Sequence, residues 1–201
     1  DATSNMLISS IKESIIEGKS IISSSYNVGK DDWEFVNNGS YIAPGGHCAG
    51  QNMAAMWYYF EKKLKGEQNL NGRFSSLPGI DVDNAIGYRF CSVIHRDLVW
   101  SGTFINLFDK YIDKNQDLDD QKFYLIAGAM LTTGEPQGIG IYMVDGTNTN
   151  GKTKYAGHDL ICYQVSVNEG KLYISDPNTP GTKQFIQLKN NKFEPYNAKA
   201  N

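Results

Sequence analysis

Apolar residues recur at helical spacing through most of the chain and give way to strand-like runs in its last third. Residues 4 to 23 carry Leu7, Ile8, Ile11, Ile15 and Ile22 among serines and lysines, which predicts an N-terminal helix, within 1–25, packed on the body. Met53, Met56, Trp57, Phe60 and Leu64 stand at i, i+3, i+4, i+7 and i+11, one buried stripe on a helix that Gly66 closes. Weaker patterns predict helices at about 83–97 and 102–113. A stronger one covers about 119–133, where Asp119 or Asp120 provides the cap and Phe123, Ile126, Ala127, Met130 and Leu131 form the stripe; Gly134 and Pro136 end it.

Strands are expected at about 138–144, 158–167, 171–175 and 183–188. The second and third flank Asn168-Glu169-Gly170 and read as a hairpin. Helices first and an antiparallel sheet afterwards make an α+β layout, with residues 1–201 as a single domain. Residues 26 to 47, polar but with Trp33, Phe35 and Tyr41, read as a loop that walls a cleft, and 67–80 as a second loop. The segment from Asp145 to Lys152 reads as a mobile loop able to cover bound substrate; it lacks P-loop spacing. Trp33, Tyr41, Trp57 and Trp100 are candidates for lining the cleft.

Candidate chemistry changes this picture at two places. Cys48 lies in Pro44-Gly45-Gly46-His47-Cys48-Ala49-Gly50-Gln51, at the end of a glycine-rich turn and the start of a helix. A thiol at a helix N-terminus meets the positive end of the peptide dipoles, which favours the thiolate, the form that attacks carbonyl carbons. Gly45 and Gly46 present no side chain to obstruct it and allow a tight entry into the helix. In the hairpin, His158 opens the first strand and Asp176 ends the second, so antiparallel pairing brings an imidazole and a carboxylate together. That is the arrangement of a general base and the group that orients it.

Cys48, His158 and Asp176 thus occur in the order Cys, His, Asp. With Gly45, Gly46 and Gly50 around the first motif, and Asp176-Pro177-Asn178 closing the second, the chain resembles papain-like cysteine peptidases. The likeness is to bacterial members related to the bacteriocin-processing branch, and spans roughly residues 40 to 188. Gly134-Glu135-Pro136 and the run from Ile139 to Val144 resemble the helix, turn and strand that precede the His in that group. The resemblance implies a papain-like fold, with a central Cys-bearing helix among N-terminal helices packed on the C-terminal sheet. It implies Cys48 as nucleophile, His158 as general base and then acid, and Asp176 as orienting group, with Asn178 in reserve. The chain departs from the pattern where the family usually places an oxyanion-hole Gln, because position 42 is Ile. The backbone N–H of Cys48 is then one donor; Asn37, Asn38 or another backbone amide is the candidate second, with Gln51 a weaker one.

Composition narrows the partners. The net charge of −3, from 19 Lys+Arg and 22 Asp+Glu, includes no basic stripe and argues against a nucleic-acid partner. No run of eighteen apolar residues occurs, so no transmembrane segment is expected. Three cysteines without CxxC spacing give no zinc site or redox pair; Cys91 and Cys162 read as buried thiols, a bond between them being the minority alternative. His47 reads as a surface or substrate-contact residue and His95 as structural. Asp109, Asp113, Asp117, Asp119 and Asp120 lack the Gly and the bidentate Glu of a calcium loop and read as a solvated helix end. The start at Asp1-Ala2-Thr3-Ser4, without initiator Met or signal peptide, fits a processed chain. With the resemblance it suggests a secreted or cell-surface bacterial protein.

The expected activity is hydrolysis of peptide or protein amide bonds through an acyl-enzyme, with no metal or organic cofactor. The same residues suit a transglutaminase-like acyl transferase, although 110 residues between Cys48 and His158 is long for its core. They suit a thiol-type cell-wall amidase less well, since His47 stands where an Asp usually precedes the Cys. A catalytically inactive binding module that keeps the cleft is the reading from a different class.

Overall fold

The long strand β3 (Thr153–Ser166) organises the molecule, because three other strands pair with it. In this computed structural model residues 6, 9–13, 15, 18, 20–74, 86–100, 118–147, 149, 151 and 153–197 are described. On one edge of β3 lie β2 (Gln137–Thr147) and, further along, β1 (Ile21–Ser23); on the other lies β4 (Lys171–Ser175), followed outward by β5 (Lys183–Lys189) and β6 (Lys192–Phe193). All the pairings are antiparallel.

Three helices are described end to end, α1 (Cys48–Glu61), α2 (Ile86–Trp100) and α3 (Asp119–Thr133). The chain is therefore α+β with an antiparallel sheet, as the order of patterns in the sequence implies.

Alternation along β3 feeds two cores. Ile161 and Tyr163 join Ala54, Ala55, Tyr58 and Tyr59 of α1, Tyr88 and Cys91 of α2, and Trp33 and Phe35 of the preceding loop. Leu160, Cys162 and Val165 join Phe123, Ala127 and Met130 of α3, with Ile15, Ile22, Leu172, Ile174 and Ile186. Cys162 and Val165 share a core despite their odd spacing because the register with β4 shifts between Cys162 and Gln164, a bulge that turns the later residues over.

Several expectations shift in detail. Residues 9–13, 15 and 18 are helical, but the chain is a strand by Ile21, where backbone pairing with Val165 and its neighbours prevails over the helical spacing of Ile22. This N-terminal segment does pack on the body, through Ile11 against Gly128 and a 2.6 Å ion pair from Lys12 to Asp120. The stripe expected on α1 is rotated: Met53, Trp57 and Leu64 are exposed, and the buried face is Gln51, Ala54, Ala55, Tyr58 and Tyr59. Gly50 faces α2, where a methyl group would run into the Cys91 carbonyl, so small residues let the two helices approach. Gly66 follows a short 3₁₀ turn, Lys63–Lys65, in the left-handed conformation.

The N-cap of α3 is Leu118, and the two aspartates expected to cap it lie in the first turn. There Asp119 accepts the Phe193 N–H at 3.0 Å. The strand β2 extends to Thr147 and β3 begins at Thr153, so much of the expected mobile loop is the end of a hairpin. The helix expected at 102–113, Asp109, Asp113 and Asp117, and the later part of the 67–80 loop fall outside the described residues. No helix among the described residues is long and apolar enough to cross a membrane.

Candidate functional site

The site forms where β4 stops. Its last residue, Ser175, pairs with Ile161, so β3 runs on past its neighbour, and His158 stands three residues earlier on that open stretch. His158 is therefore inside the strand, opposite Ile141 of β2, not at the strand's start. Asp176 is the first residue after β4, and its carboxylate Oδ1 lies 2.7 Å from His158 Nε2. The Asp176 side chain is buried and that of His158 nearly so.

Three donors hold the Asp176 carboxylate. His158 and the backbone N–H of Asn178, the latter at 2.8 Å, share Oδ1, while the Tyr196 hydroxyl donates to Oδ2 at 2.6 Å. Burial alone would raise the pKa of Asp176, but these bonds and the charge of His158 outweigh it and the net shift is downward. His158 shows the same competition with the opposite sign. Burial disfavours the charged ring, yet hydrogen bonds with Asp176 and Cys48, together with their charges, raise its pKa from 6.5 to about 9. With Nε2 on Asp176, Nδ1 is the ring nitrogen left to face the thiol. Cys48, His158 and Asp176 are thus brought together as a connected chain of side chains.

The cysteine end is held from a distance. His47 is the N-cap of α1 and makes no side-chain cap, so Cys48 is the first residue of the helix proper and its N–H is one of the unpaired donors of a helix start. Asn37 braces the turn: its carboxamide oxygen accepts the His47 N–H, and its Nδ2 donates to Asn178 Oδ1 at 3.1 Å. Its backbone N–H reaches the Pro177 carbonyl at 3.0 Å. One asparagine therefore ties the cysteine turn to the Asp-Pro-Asn segment. Gly46 has φ 107°, and a Cβ there would stand 2.9 Å from the Asn37 carboxamide, so both its backbone and its lack of a side chain are required. Gly45 has open space around it and no such constraint.

The accessory candidates have structural work. Gln51 is buried and its carboxamide donates to the Phe35 carbonyl at 2.9 Å. Asn178 is buried and bonded to Asn37 and Asp176. The Asn38 N–H donates to the Val36 carbonyl at 2.9 Å. His47, expected at the surface, is fully buried, with its ring edge-on to Tyr88 at 4.5 Å between centroids. Aromatic packing absorbs a residue that its loop position would expose. Of the cleft aromatics, Trp33 is buried in the core with Nε1 on the Gln51 carbonyl, whereas Tyr41 and Trp57 are exposed. His95 is partly buried, and burial and Arg96 lower its pKa.

Two contributors were missed by sequence reasoning. Tyr196 lies 20 residues beyond Asp176 with no motif around it. Tyr142, on β2 opposite Gly157, lies close enough to Asp159 and Cys48 to feel their charges, which add to burial in raising its pKa. The pattern of small residues at Gly140 and Gly157, against which its ring lies, is the signal that points to a close-packed aromatic there. Cys91 and Cys162 are buried thiols whose pKa burial raises, that of Cys162 to about 12, so they are unsuited to nucleophilic chemistry. No group of three or more metal-ligating side chains converges among the described residues. Comparison of the chain with family models, curated proteins and solved structures finds no match.

Proposed function

We propose that the protein is a thiol-dependent hydrolase that cleaves peptide or protein amide bonds, with a papain-like arrangement of Cys48, His158 and Asp176. The observation that carries this reading is that one imidazole is held between a buried carboxylate, at 2.7 Å, and a thiol at a helix start. Its pKa of about 9 favours the charged ring at neutral pH, and an imidazolium that has taken the proton of the neighbouring thiol is the ion-pair form of a cysteine nucleophile.

In the cycle, His158 takes the proton of the Cys48 thiol, the thiolate Sγ attacks the amide carbon, and the carbonyl electrons move to oxygen, which meets the Cys48 N–H. Collapse breaks the C–N bond as His158 gives its proton to the departing amine, leaving a thioester. His158 then takes a proton from water, the hydroxide adds to the thioester, and loss of the thiolate frees the acid. Asp176 keeps the ring in the tautomer and orientation that both transfers need.

The test is mass-spectrometric mapping of cleavage in a mixture of synthetic peptides. Wild type cuts and the Cys48→Ser and His158→Ala variants do not. Amine incorporation at glutamine in place of cleavage would instead favour an acyl transferase, and release of amino groups from peptidoglycan alone a cell-wall amidase.

One observation favours a second reading, a binding module without activity. Gln51, Asn37 and Asn178 are all engaged in structural hydrogen bonds, which leaves the second oxyanion donor unassigned. A missing donor lowers the rate by about 10²–10³. Absence of cleavage together with slow, His158-independent alkylation of Cys48 would establish that reading.

A further inference from the structure

The C-terminal segment after β5 is tied to the body at three successive points. Phe193 pairs with Leu188 and its N–H donates to Asp119 of α3 at 3.0 Å; the Glu194 N–H donates to the Gln187 carbonyl at 2.8 Å. The chain then delivers Tyr196, whose ring packs on the α3-side core and whose hydroxyl donates to Asp176 Oδ2 at 2.6 Å.

Every other donor to this carboxylate uses Oδ1. Asp176 is 1% exposed, so water does not readily replace a lost partner on Oδ2. With only Oδ1 held, by His158 and the Asn178 N–H, the buried Oδ2 lacks a donor, and any rotation about the bond to Cβ that finds it one carries Oδ1 away from His158 Nε2. A hydroxyl on Oδ2 fixes the plane of the carboxylate and with it the direction in which Oδ1 meets the ring.

We propose that Tyr196 is a positioning residue of the site: its hydroxyl locks the Asp176 carboxylate in the orientation that aligns His158 with Cys48, so the C-terminal segment completes the catalytic geometry. The inference rests on the hydrolase reading for its consequence, but the positioning is measurable without a substrate.

The experiment follows the His158 ring in the full-length chain labelled with ¹⁵N-histidine, alongside iodoacetamide alkylation of Cys48 read by intact mass. Wild-type His158 is expected to titrate near pH 9, raised from 6.5 by its bonds to Asp176 and Cys48. Y196F lowers that midpoint toward 6.5 and slows alkylation at pH 7 about tenfold, as loss of a hydrogen bond to a buried charge does. Y196L matches Y196F, because both lack the hydroxyl. A Y196F protein with the wild-type midpoint and rate overturns the proposal, and so does damage in Y196L that Y196F escapes, since ring packing then explains the residue.

A fluorotyrosine at position 196 keeps the ring and changes only the donor strength of the hydroxyl. Because the hydroxyl stays on Oδ2, the His158 midpoint and the alkylation rate are expected to remain near wild type, and a midpoint that falls toward 6.5 with the hydroxyl still present overturns the proposal even if Y196F fails to fold. Wild-type alkylation that ignores His158→Ala, with the midpoint still sensitive to Tyr196, sinks the hydrolase reading and leaves the positioning intact.

Discussion

The two halves of the site are built in opposite ways. His158 and Asp176 come from one hairpin, 18 residues apart, whose pairing carries them toward each other, and the Tyr196 hydroxyl adds a tie to the carboxylate from outside it. Cys48 reaches them from another part of the chain. Its turn is fixed by Asn37, which bonds to His47 on one side and to Pro177 and Asn178 on the other. The base half is mostly local, with a long-range tie at Tyr196, whereas the nucleophile half is aligned only by long-range polar contacts and close helix packing. Substitutions in the hairpin should therefore change chemistry more than fold, and substitutions around the cysteine turn should change both.

The largest expected effect is from the base itself. His158→Ala should reduce amide cleavage by about 10³-fold or more while leaving the protein folded, measured as kcat/KM on whichever peptide the wild type cuts and by circular dichroism. Loss of the fold along with activity would mean that the hairpin is not self-sufficient.

The pH dependence of stability sharpens the same half. The folded-state pKa of His158 is raised from 6.5 to about 9, so its contribution is fully present below pH 6.5 and is lost as pH rises through 9; the upper limit is about 3 kcal/mol. The pKa of Asp176 is lowered from 3.8, so its contribution is present above pH 3.8 and is lost as pH falls through the lower folded value. Tm should hold between about pH 4 and 6.5 and decline toward 9, and Asp176→Asn should flatten that decline. An undiminished Tm at pH 9 in wild type would refute the ion pair.

Around the cysteine turn, Asn37→Ala should cost about 1–3 kcal/mol in chemical denaturation, because it strands the His47 N–H and the Asn178 carboxamide oxygen. Activity should fall with it, and activity that survives intact would show that the turn is rigid without this brace. Gly50→Ala should cost a similar 1–3 kcal/mol through overpacking of α1 against α2. Met53→Gln, on the exposed face of α1, should change stability by no more than about 0.5 kcal/mol, and a loss well beyond that would return Met53 to the core.

The same contrast explains what could be read from the sequence. The order of α1, α2, α3 and strands β2 to β5 and the hairpin are legible, and Cys48, His158 and Asp176 could be singled out, because each rests on local periodicity or a short motif. The face of α1 is not: large apolar side chains drew the expected stripe to Met53 and Trp57, while the helix buries the small Ala54 and Ala55 and the amphipathic Tyr58 and Tyr59. Close helix packing rewards small residues, which a hydropathy pattern ranks below methionine. The burial of His47, the brace at Asn37 and the Tyr196 hydroxyl on Asp176 all depend on contacts between distant parts of the chain, and no local spacing encodes them.

The most direct measurement is the rate of Cys48 alkylation by iodoacetamide from pH 5 to 9, in wild type and His158→Ala. Intact mass is the readout, with the buried Cys91 and Cys162 thiols as internal controls. Rapid modification of Cys48 alone at pH 6, slowed sharply when His158 is removed, is the result expected of a thiol activated by this imidazole. The same slow rate in both proteins would contradict it, since the three side chains would then be neighbours without forming a nucleophile.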